Sequence, residues 1–225
     1  MSRTRTLYVD IRKLSRKPEE ASVIIRLMMV CNDLAVSNAK LLEVSEQDTV
    51  IPDHVRWGTK LYFLRLGIGH LNEAMKVVAD LRGRPPMLRL IGECSSHGRA
   101  CFDQLASCLK GGADFDKFKA QIMMIRNKTA FHYDDMLVQT ALVDRASTTK
   151  KTHSVTMSHD VRDMRYGVAD DILSTLIVHQ VWKAKGLEMN DKLPEVLAFT
   201  NCLVRALLEF AAEFTMLYIR QNVSI

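Results

Sequence analysis

One stretch near the middle of the chain concentrates side chains that can carry out acid–base and phosphate chemistry. Residues 125–134 read Ile-Arg-Asn-Lys-Thr-Ala-Phe-His-Tyr-Asp, so Arg126, Asn127 and His132 lie close in sequence. A histidine titrates near neutral pH, so it can take a proton from a ribose 2′-hydroxyl or give one to a leaving oxygen. An arginine can hold a phosphate bidentately and stabilise the charge of the transition state. With an amide to orient either group, these side chains form a minimal set for cleaving RNA without a metal ion.

The same stretch resembles the signature of the HEPN superfamily, a group of helical-bundle proteins. That signature is an arginine, a polar residue that is often asparagine, a gap and then a histidine, in the form R-x(4–6)-H. Arg126 and His132 match it as R-x5-H, with Asn127 next to the arginine. The resemblance implies a bundle of four or more helices and a homodimer in which two motifs face each other. In many members it also implies metal-independent RNA cleavage.

The resemblance also implies a role for each residue of the motif. Arg126 would bind the phosphate, Asn127 would orient it, and His132 would act as general base or acid. Tyr133 and Asp134 are candidates for a supporting shell around these groups. Some toxin members carry a tyrosine two places after the histidine as a modification target. Here Tyr133 follows the histidine directly, which departs from that pattern.

Lysines near the motif are candidate contacts for an RNA backbone, because ammonium groups attract phosphates. They are Lys117, Lys119 and Lys128. Exposed lysines on a helix more often form an ordinary solvated face, so both interpretations of this group stay open.

A structural role for the motif is the alternative to a catalytic one. His132 continues the apolar spacing of the preceding helix, so it fits a buried histidine hydrogen-bonded to Asp134 or Asp135. Arg126 fits a cation at a helix C-terminus, where the helix dipole favours positive charge. Residues six apart on a straight helix also point about 120° apart. Arg126 and His132 would therefore meet only across a dimer, or where the helix ends before the histidine.

Other familiar catalytic and metal-binding patterns are missing from the sequence. It has no phosphate-binding glycine loop, no nucleophile elbow and no pair of C-x-x-C motifs. Cys94, Cys101 and Cys108 are seven residues apart, which puts their thiols about 10 Å from one another along a helix and favours core packing. The stretches 70–73 and 93–97 do not form the Glu-x-x-His pattern of di-metal bundles. We expect no metal and no other cofactor.

Helical periodicity dominates the chain after residue 17. A Pro-Glu-Glu start at residue 18 suits the first turn of a helix, and Gly83, Pro85 and Pro86 form a stop. Apolar residues recur at intervals of three and four between such signals. The helices are predicted at about 18–44, from a cap at Asp53 to the stop at Gly83, and at about 87–110, 115–132, 136–143, 168–185 and from 191 onward, with a polar loop over 145–160. The sum is an all-α, multi-helix bundle of six to seven helices.

The formal net charge of +5 comes from the N-terminus. Residues 1–17 hold six basic side chains and one acidic side chain, and residues 18–225 hold equal numbers of each sign. This distribution predicts a basic N-terminal arm over 1–17 and one neutral helical-bundle domain over 18–225. It argues against a protein that coats nucleic acid with its whole surface. If RNA is the substrate, the arm is the expected place for phosphate attraction.

Length and composition set the remaining limits. The 225 residues are 48% hydrophobic, which is enough for a core, and ten Gly and five Pro are too few for a turn-rich all-β fold. No apolar run approaches the roughly 20 residues of a membrane span, and the N-terminus has no apolar signal segment. Five scattered cysteines indicate reduced thiols. We therefore expect a cytoplasmic protein with no membrane partner.

Two functional hypotheses follow from these features. The first is a metal-independent endoribonuclease of the HEPN type, toxin- or defence-like, with a composite site in a homodimer, an RNA substrate, and an antitoxin or other partner protein as a candidate regulator. The alternative is a non-catalytic helical interaction or scaffold protein with a degenerate RNA-binding motif. Such a protein would use the apolar stripe of its last helix, or its Met-Met pairs, as a partner surface.

Overall fold

Long helices make up most of the chain. The structure, a computed structural model, describes residues 9–46, 53–130, 135–148, 155–156, 165–183 and 188–222. Its α-helices are α1 (Ile11–Leu14), α2 (Pro18–Glu46), α3 (Asp53–Arg82), α4 (Pro85–Gly92), α5 (Ser96–Ser107), α6 (Phe115–Phe118), α7 (Asp135–Thr148), α8 (Gly167–Thr175) and α9 (Glu188–Asn222). The predicted all-α multi-helix bundle is confirmed. Among these described helices, none has a stretch both long and apolar enough to cross a membrane.

Two of the helices continue as wider, π-helical turns. Helix α6 is followed by π-helical turns at Lys119–Met123 and Arg126–Ala130, and α8 by one at Leu176–Val181. Such turns shift the side chains that follow them around the helix axis and are frequent at functional sites. The Arg126–Asn127 pair lies in one of them.

Helices α2 and α3 form an antiparallel hairpin. The Arg26 guanidinium lies 2.6 Å from the Asp80 carboxylate near one end, and His70 Nδ1 lies 3.5 Å from Asp33 nearer the connection. The buried faces of both helices are apolar, with Ile24, Ile68 and Leu71 fully enclosed. Burial of these faces, at about 25 cal/mol per Å² of apolar surface, is the main force that holds the pair.

Helix α9 returns along α5 and closes the core. Contacts between Ser95 and Glu213 and between Gln104 and Cys202 show that the two helices run antiparallel. The ring of Phe210 lies 5.2 Å from that of Phe102 and stacks on the ring of Phe214 at 5.1 Å. The stripe predicted for the last helix is buried, including Leu203, Leu207, Phe210 and Phe214.

The predicted helix over 87–110 is two helices in the structure. Helix α4 ends at Gly92 and α5 begins at Ser96, so the expectation of one helix is wrong. The apolar spacing runs through the break because Cys94 is itself buried. The break has a clear local cause. The Ser95 hydroxyl accepts a hydrogen bond from the Gly98 N–H at 3.1 Å, which caps the new helix.

The later boundaries also differ from the sequence expectations. Helix α7 runs to Thr148, which lies in the segment 145–160 predicted as a loop. Val155–Thr156, in the same segment, pairs antiparallel with Arg165–Tyr166, which follows it in the chain. Helix α9 begins at Glu188, so Pro194 lies inside the helix rather than in the first turn after Asp191. Proline costs a helix less near its start, where there are few hydrogen bonds to lose.

The described part of the basic arm lies against the bundle. The carboxylate of Asp10 accepts a hydrogen bond from the Arg12 N–H at 2.9 Å and caps α1. Leu14 packs on the hydrophobic core. The Lys17 ammonium donates to Asn222 Oδ1 at 3.1 Å, which ties the arm to the end of α9. Residues 9–17 are therefore an ordered edge of the bundle.

Candidate functional site

The Arg126–Asn127 pair is anchored by the buried side of its π-helical turn. Thr129 is fully buried, and its hydroxyl donates to the Ile125 carbonyl at 2.8 Å. Ile125 itself is 1% exposed. Because these two side chains fix the inner side, Arg126 and Asn127 project toward the surface, where they are half-buried and exposed respectively.

The guanidinium of Arg126 is held from two directions. Its Nη2 donates to Glu73 Oε1 of α3 at 3.2 Å, and its Nη1 donates to Asn127 Oδ1 at 3.2 Å. Its Nε is buried with no hydrogen-bond partner among the residues that the structure describes. The side chain as a whole remains 32% exposed. It is oriented but still accessible, as a phosphate contact requires.

Glu73 is the residue that holds Arg126 in place. Its carboxylate accepts two hydrogen bonds from the Lys76 ammonium, at 2.7 and 2.8 Å. The Lys76 hydrogen bonds lower the pKa of Glu73, and the charge of Arg126 lowers it further. The carboxylate is therefore ionised at neutral pH and attracts the guanidinium.

Three residues predicted for the site are not among those that the structure describes. His132, Tyr133 and Asp134 lie outside the described residues, so their positions stay predictions. The structure brings Arg126 and Asn127 together and adds Glu73, which no sequence pattern had indicated.

The three lysines predicted to contact an RNA backbone have different surroundings. The Lys117 ammonium lies 4.7 Å above the Phe199 ring and 3.8 Å from Glu195, so it bridges α6 to α9. Lys119 is exposed and Lys128 is half-buried. Lys117 thus has a structural role that is sufficient to explain its presence.

A second cluster of reactive side chains lies between α5 and α9. The His97 Nε2, Cys101 Sγ and Glu209 Oε2 atoms all lie within 4.8 Å of one another. Two of the three residues could be paired from the sequence, since His97 and Cys101 are one helical turn apart. Glu209 is 108 residues beyond Cys101, so no local pattern could have added it.

The start of α5 is fixed against α9 next to this cluster. Glu213 accepts hydrogen bonds from the Ser95 N–H and, at 2.8 Å, from the Ser95 hydroxyl. Those bonds lower the pKa of Glu213. A side chain at Gly98 would collide with the Glu213 carboxylate. The Glu213 carboxylate would therefore have to move if Gly98 carried a side chain.

The cysteines behave as buried thiols. Burial raises the pKa of Cys94 and of Cys108 to about 11. Burial, followed by the charge of Glu209, also raises the pKa of Cys101. All three are at most 6% exposed, which confirms the core packing predicted from their spacing. They are protonated at neutral pH, which disfavours nucleophilic catalysis by any of them.

A largely apolar cavity of about 640 Å³ lies between α2, α3, α8 and α9. Trp57 and Trp182, the two tryptophans of the sequence, both line it. The indole N–H of Trp182 is buried and has no hydrogen-bond partner among the described residues. Trp182 is 9% exposed and Trp57 is 40% exposed, so one tryptophan is nearly buried and the other is open to solvent.

Comparison with known proteins gives no relative: no protein-family model, curated protein or solved structure matches the chain. The motif residues and their contacts therefore carry the functional proposal.

Proposed function

We propose that this protein is a metal-independent endoribonuclease of the HEPN type. The observation that carries the proposal is the Arg126 guanidinium, oriented by Glu73 and Asn127 yet 32% exposed, six residues before His132. Each Nη group of this guanidinium keeps a second N–H, which can donate to a phosphate oxygen. Its position in a π-helical turn adds support, because such turns recur at functional sites.

In the proposed reaction, His132 takes the proton from a ribose 2′-hydroxyl. The 2′-oxygen then forms a bond to the adjacent phosphorus, and the bond from phosphorus to the 5′-oxygen breaks. The leaving oxygen takes a proton from a protonated histidine, which the second copy of the motif supplies in a homodimer. Arg126 stabilises the charge that develops on the phosphate, and the amide of Asn127 orients it.

The exposed side of α7 is the surface that we assign to the homodimer. Met136 and Val143 are 68% and 71% exposed, and their spacing of seven residues puts them on one helical face. Helix α7 begins directly after the motif. Pairing of two such faces would bring two motifs toward one another. We further propose a toxin-like activity in the cytoplasm, regulated by an antitoxin or similar partner protein.

RNA cleavage in the presence of EDTA tests the activity. We expect the wild-type chain to cleave, and His132→Ala and Arg126→Ala to lose about 100-fold to 10,000-fold in rate, the usual worth of an acid–base group or charge stabiliser. His153→Ala, a change in the polar segment 145–160, is the matched control and should retain activity. Circular dichroism establishes that each variant folds. Unchanged cleavage by His132→Ala would refute the proposal.

A non-catalytic interaction protein is the second candidate, and the cavity between α2, α3, α8 and α9 favours it. Its volume of about 640 Å³ and its apolar lining suit the apolar side chains of a partner helix. Tryptophan emission reports on this cavity, since both tryptophans line it. Titration with an amphipathic helical peptide should change that emission saturably in wild type. The surface control Leu88→Asp should show the same change, and Leu64→Asp should not. Absence of any change in wild type would count against this candidate.

A further inference from the structure

The His97, Cys101 and Glu209 side chains meet at the junction of α5 and α9, outside the proposed RNA site. The His97 Nε2 and Glu209 Oε2 atoms are 3.0 Å apart. Cys101 Sγ lies 3.6 Å from that nitrogen and 3.7 Å from that oxygen. Three different ligand types thus point at one space.

The size of this triangle matches the coordination sphere of zinc. Zinc binds sulfur at about 2.3 Å and nitrogen or oxygen at about 2.0–2.2 Å, usually as a tetrahedron. The edges of such a tetrahedron are about 3.6 Å between sulfur and nitrogen or oxygen, and about 3.4 Å between nitrogen and oxygen. The two edges to sulfur, at 3.6 and 3.7 Å, agree with these values. The nitrogen–oxygen edge, at 3.0 Å, needs only a small opening.

We propose that His97, Cys101 and Glu209 form a binding site for a divalent transition-metal ion of the zinc class. The inference is independent of the proposed ribonuclease activity. Thiolate and imidazole ligands select zinc-class ions over Mg²⁺ and Ca²⁺, which prefer oxygen. Helix α5 supplies the sulfur and nitrogen from one face, and α9 supplies the carboxylate.

The surroundings leave a route for the ion and a free coordination position. Cys101 is 6% exposed and forms the floor of the site. The His97 and Glu209 side chains are 69% and 42% exposed, so they open to solvent. Three protein ligands leave the fourth tetrahedral position to water. Glu213, one turn further along α9, is already engaged by Ser95 and is not needed as a ligand.

The site would also connect distant parts of the chain. An ion bound here joins α5 to α9 across 108 residues of sequence. The ion-free contact between His97 and Glu209 is largely exposed, and pairs of that kind contribute little to stability. A bound ion should therefore raise the midpoint of thermal unfolding, because it binds the folded chain in preference to the unfolded one.

Cobalt binding to the full chain tests the proposal directly. The chain is stripped with a chelator and titrated with Co²⁺, and Zn²⁺ affinity is then measured by displacement. We expect one equivalent of Co²⁺ with the near-ultraviolet charge-transfer band of a cobalt–thiolate bond. Cys101→Ser should lose that band, and His97→Gln and Glu209→Gln should weaken Zn²⁺ binding by about 100-fold or more, since lost supporting residues alone cost up to that.

Matched variants separate a built site from chance binding. Cys31→Ser and His70→Gln change the same residue types on α2 and α3 and should leave the cobalt spectrum and the Zn²⁺ affinity unchanged. Zn²⁺ should raise the unfolding temperature of these controls and of wild type, but not of Cys101→Ser. Absence of the thiolate band in folded wild type, or its persistence in Cys101→Ser, would overturn the proposal. Activity in EDTA has no bearing on either result, so the two proposals fail independently.

Discussion

At the scale of single residues, Glu73 determines where the guanidinium of Arg126 points. Its lowered pKa means that its ionised form stabilises the folded chain. That stabilisation is fully present above the pKa of an unperturbed glutamate, 4.5, and is lost as pH falls through the lower pKa of the folded chain. We expect Glu73→Gln to be less stable than wild type at neutral pH. The two should converge in acid, in urea unfolding measured across a pH series.

A matched change keeps this prediction specific. Glu43 pairs with Lys40 at the same three-residue spacing and at 2.6 Å, and no arginine of another helix is paired with it among the described residues. Glu43→Gln should therefore cost less stability at neutral pH than Glu73→Gln, because exposed pairs within a helix are weak. Equal losses in the two variants would mean that the contact with Arg126 does not stabilise the fold.

Gly98 carries a second prediction at this scale. A methyl group there meets the Glu213 carboxylate, whereas the same group at Gly92 meets nothing within 4 Å. We expect Gly98→Ala to lower the free energy of unfolding by more than the roughly 0.5 kcal/mol typical of surface changes, and so to lower the unfolding midpoint. Gly92→Ala should be neutral or stabilising. Thermal unfolding of both variants measures this difference. Equal midpoints would show that the Glu213 side chain moves aside at little cost in stability.

At the scale of elements, local signals predicted helices better than they predicted helix boundaries. Helices α2 and α3 were predicted almost to their observed ends, because Pro18 and Gly83 mark start and stop. The break between α4 and α5 was missed because the apolar spacing continues through Cys94, although Ser95 is a good helix cap. Apolar periodicity shows which face of a helix is buried. It continues across a short break between two helices and therefore does not reveal the break.

The same limit applies to the candidate site. The adjacency of Arg126 and Asn127 is local, so the sequence could indicate it. The partner of the guanidinium, Glu73, is 53 residues earlier, and Glu209 is 108 residues after Cys101. Such pairs depend on how helices pack, which periodicity alone does not determine.

The homodimer interface proposed on the exposed apolar face of α7 can be tested by mutation. We expect Val143→Asp to convert a homodimer to a monomer in light scattering coupled to size exclusion, because a buried unpaired charge is costly at an interface. Val36→Asp is the control, since Val36 is 65% exposed on α2. A monomeric wild-type chain, or a Val143→Asp dimer, would remove α7 from the proposed interface.

At the scale of the whole molecule, the described part of the basic arm, residues 9–17, packs against the bundle. Deletion of residues 1–17 would remove the packing of Leu14 and the bond from Lys17 to Asn222 together with the charge. Substitution of arginines is the cleaner experiment. We expect replacement of Arg3, Arg5 and Arg16 by Gln to weaken RNA binding and to reduce its salt dependence by about 0.7 per lost phosphate contact.

The control removes the same charge from the body of the bundle. Replacement of Arg82, Arg89 and Lys110 by Gln should leave the slope of log affinity against log salt nearly unchanged. These three side chains are exposed and lie away from the arm in sequence. Equal slopes in the two triple variants would mean that the arm has no special part in attracting RNA.

The pairing of α5 with α9 has a consequence for how the chain is made. The α2–α3 hairpin can form once residue 82 has been synthesised, but the contacts of α5 lie 98 to 118 residues further along the chain. At about 5–20 residues per second, that interval lasts on the order of 5–20 s on the ribosome. Throughout it, the face of α5 that carries Phe102 and Leu105 has no α9 to cover it. The nascent chain therefore presents an exposed apolar surface for several seconds, until α9 has been translated and can cover it.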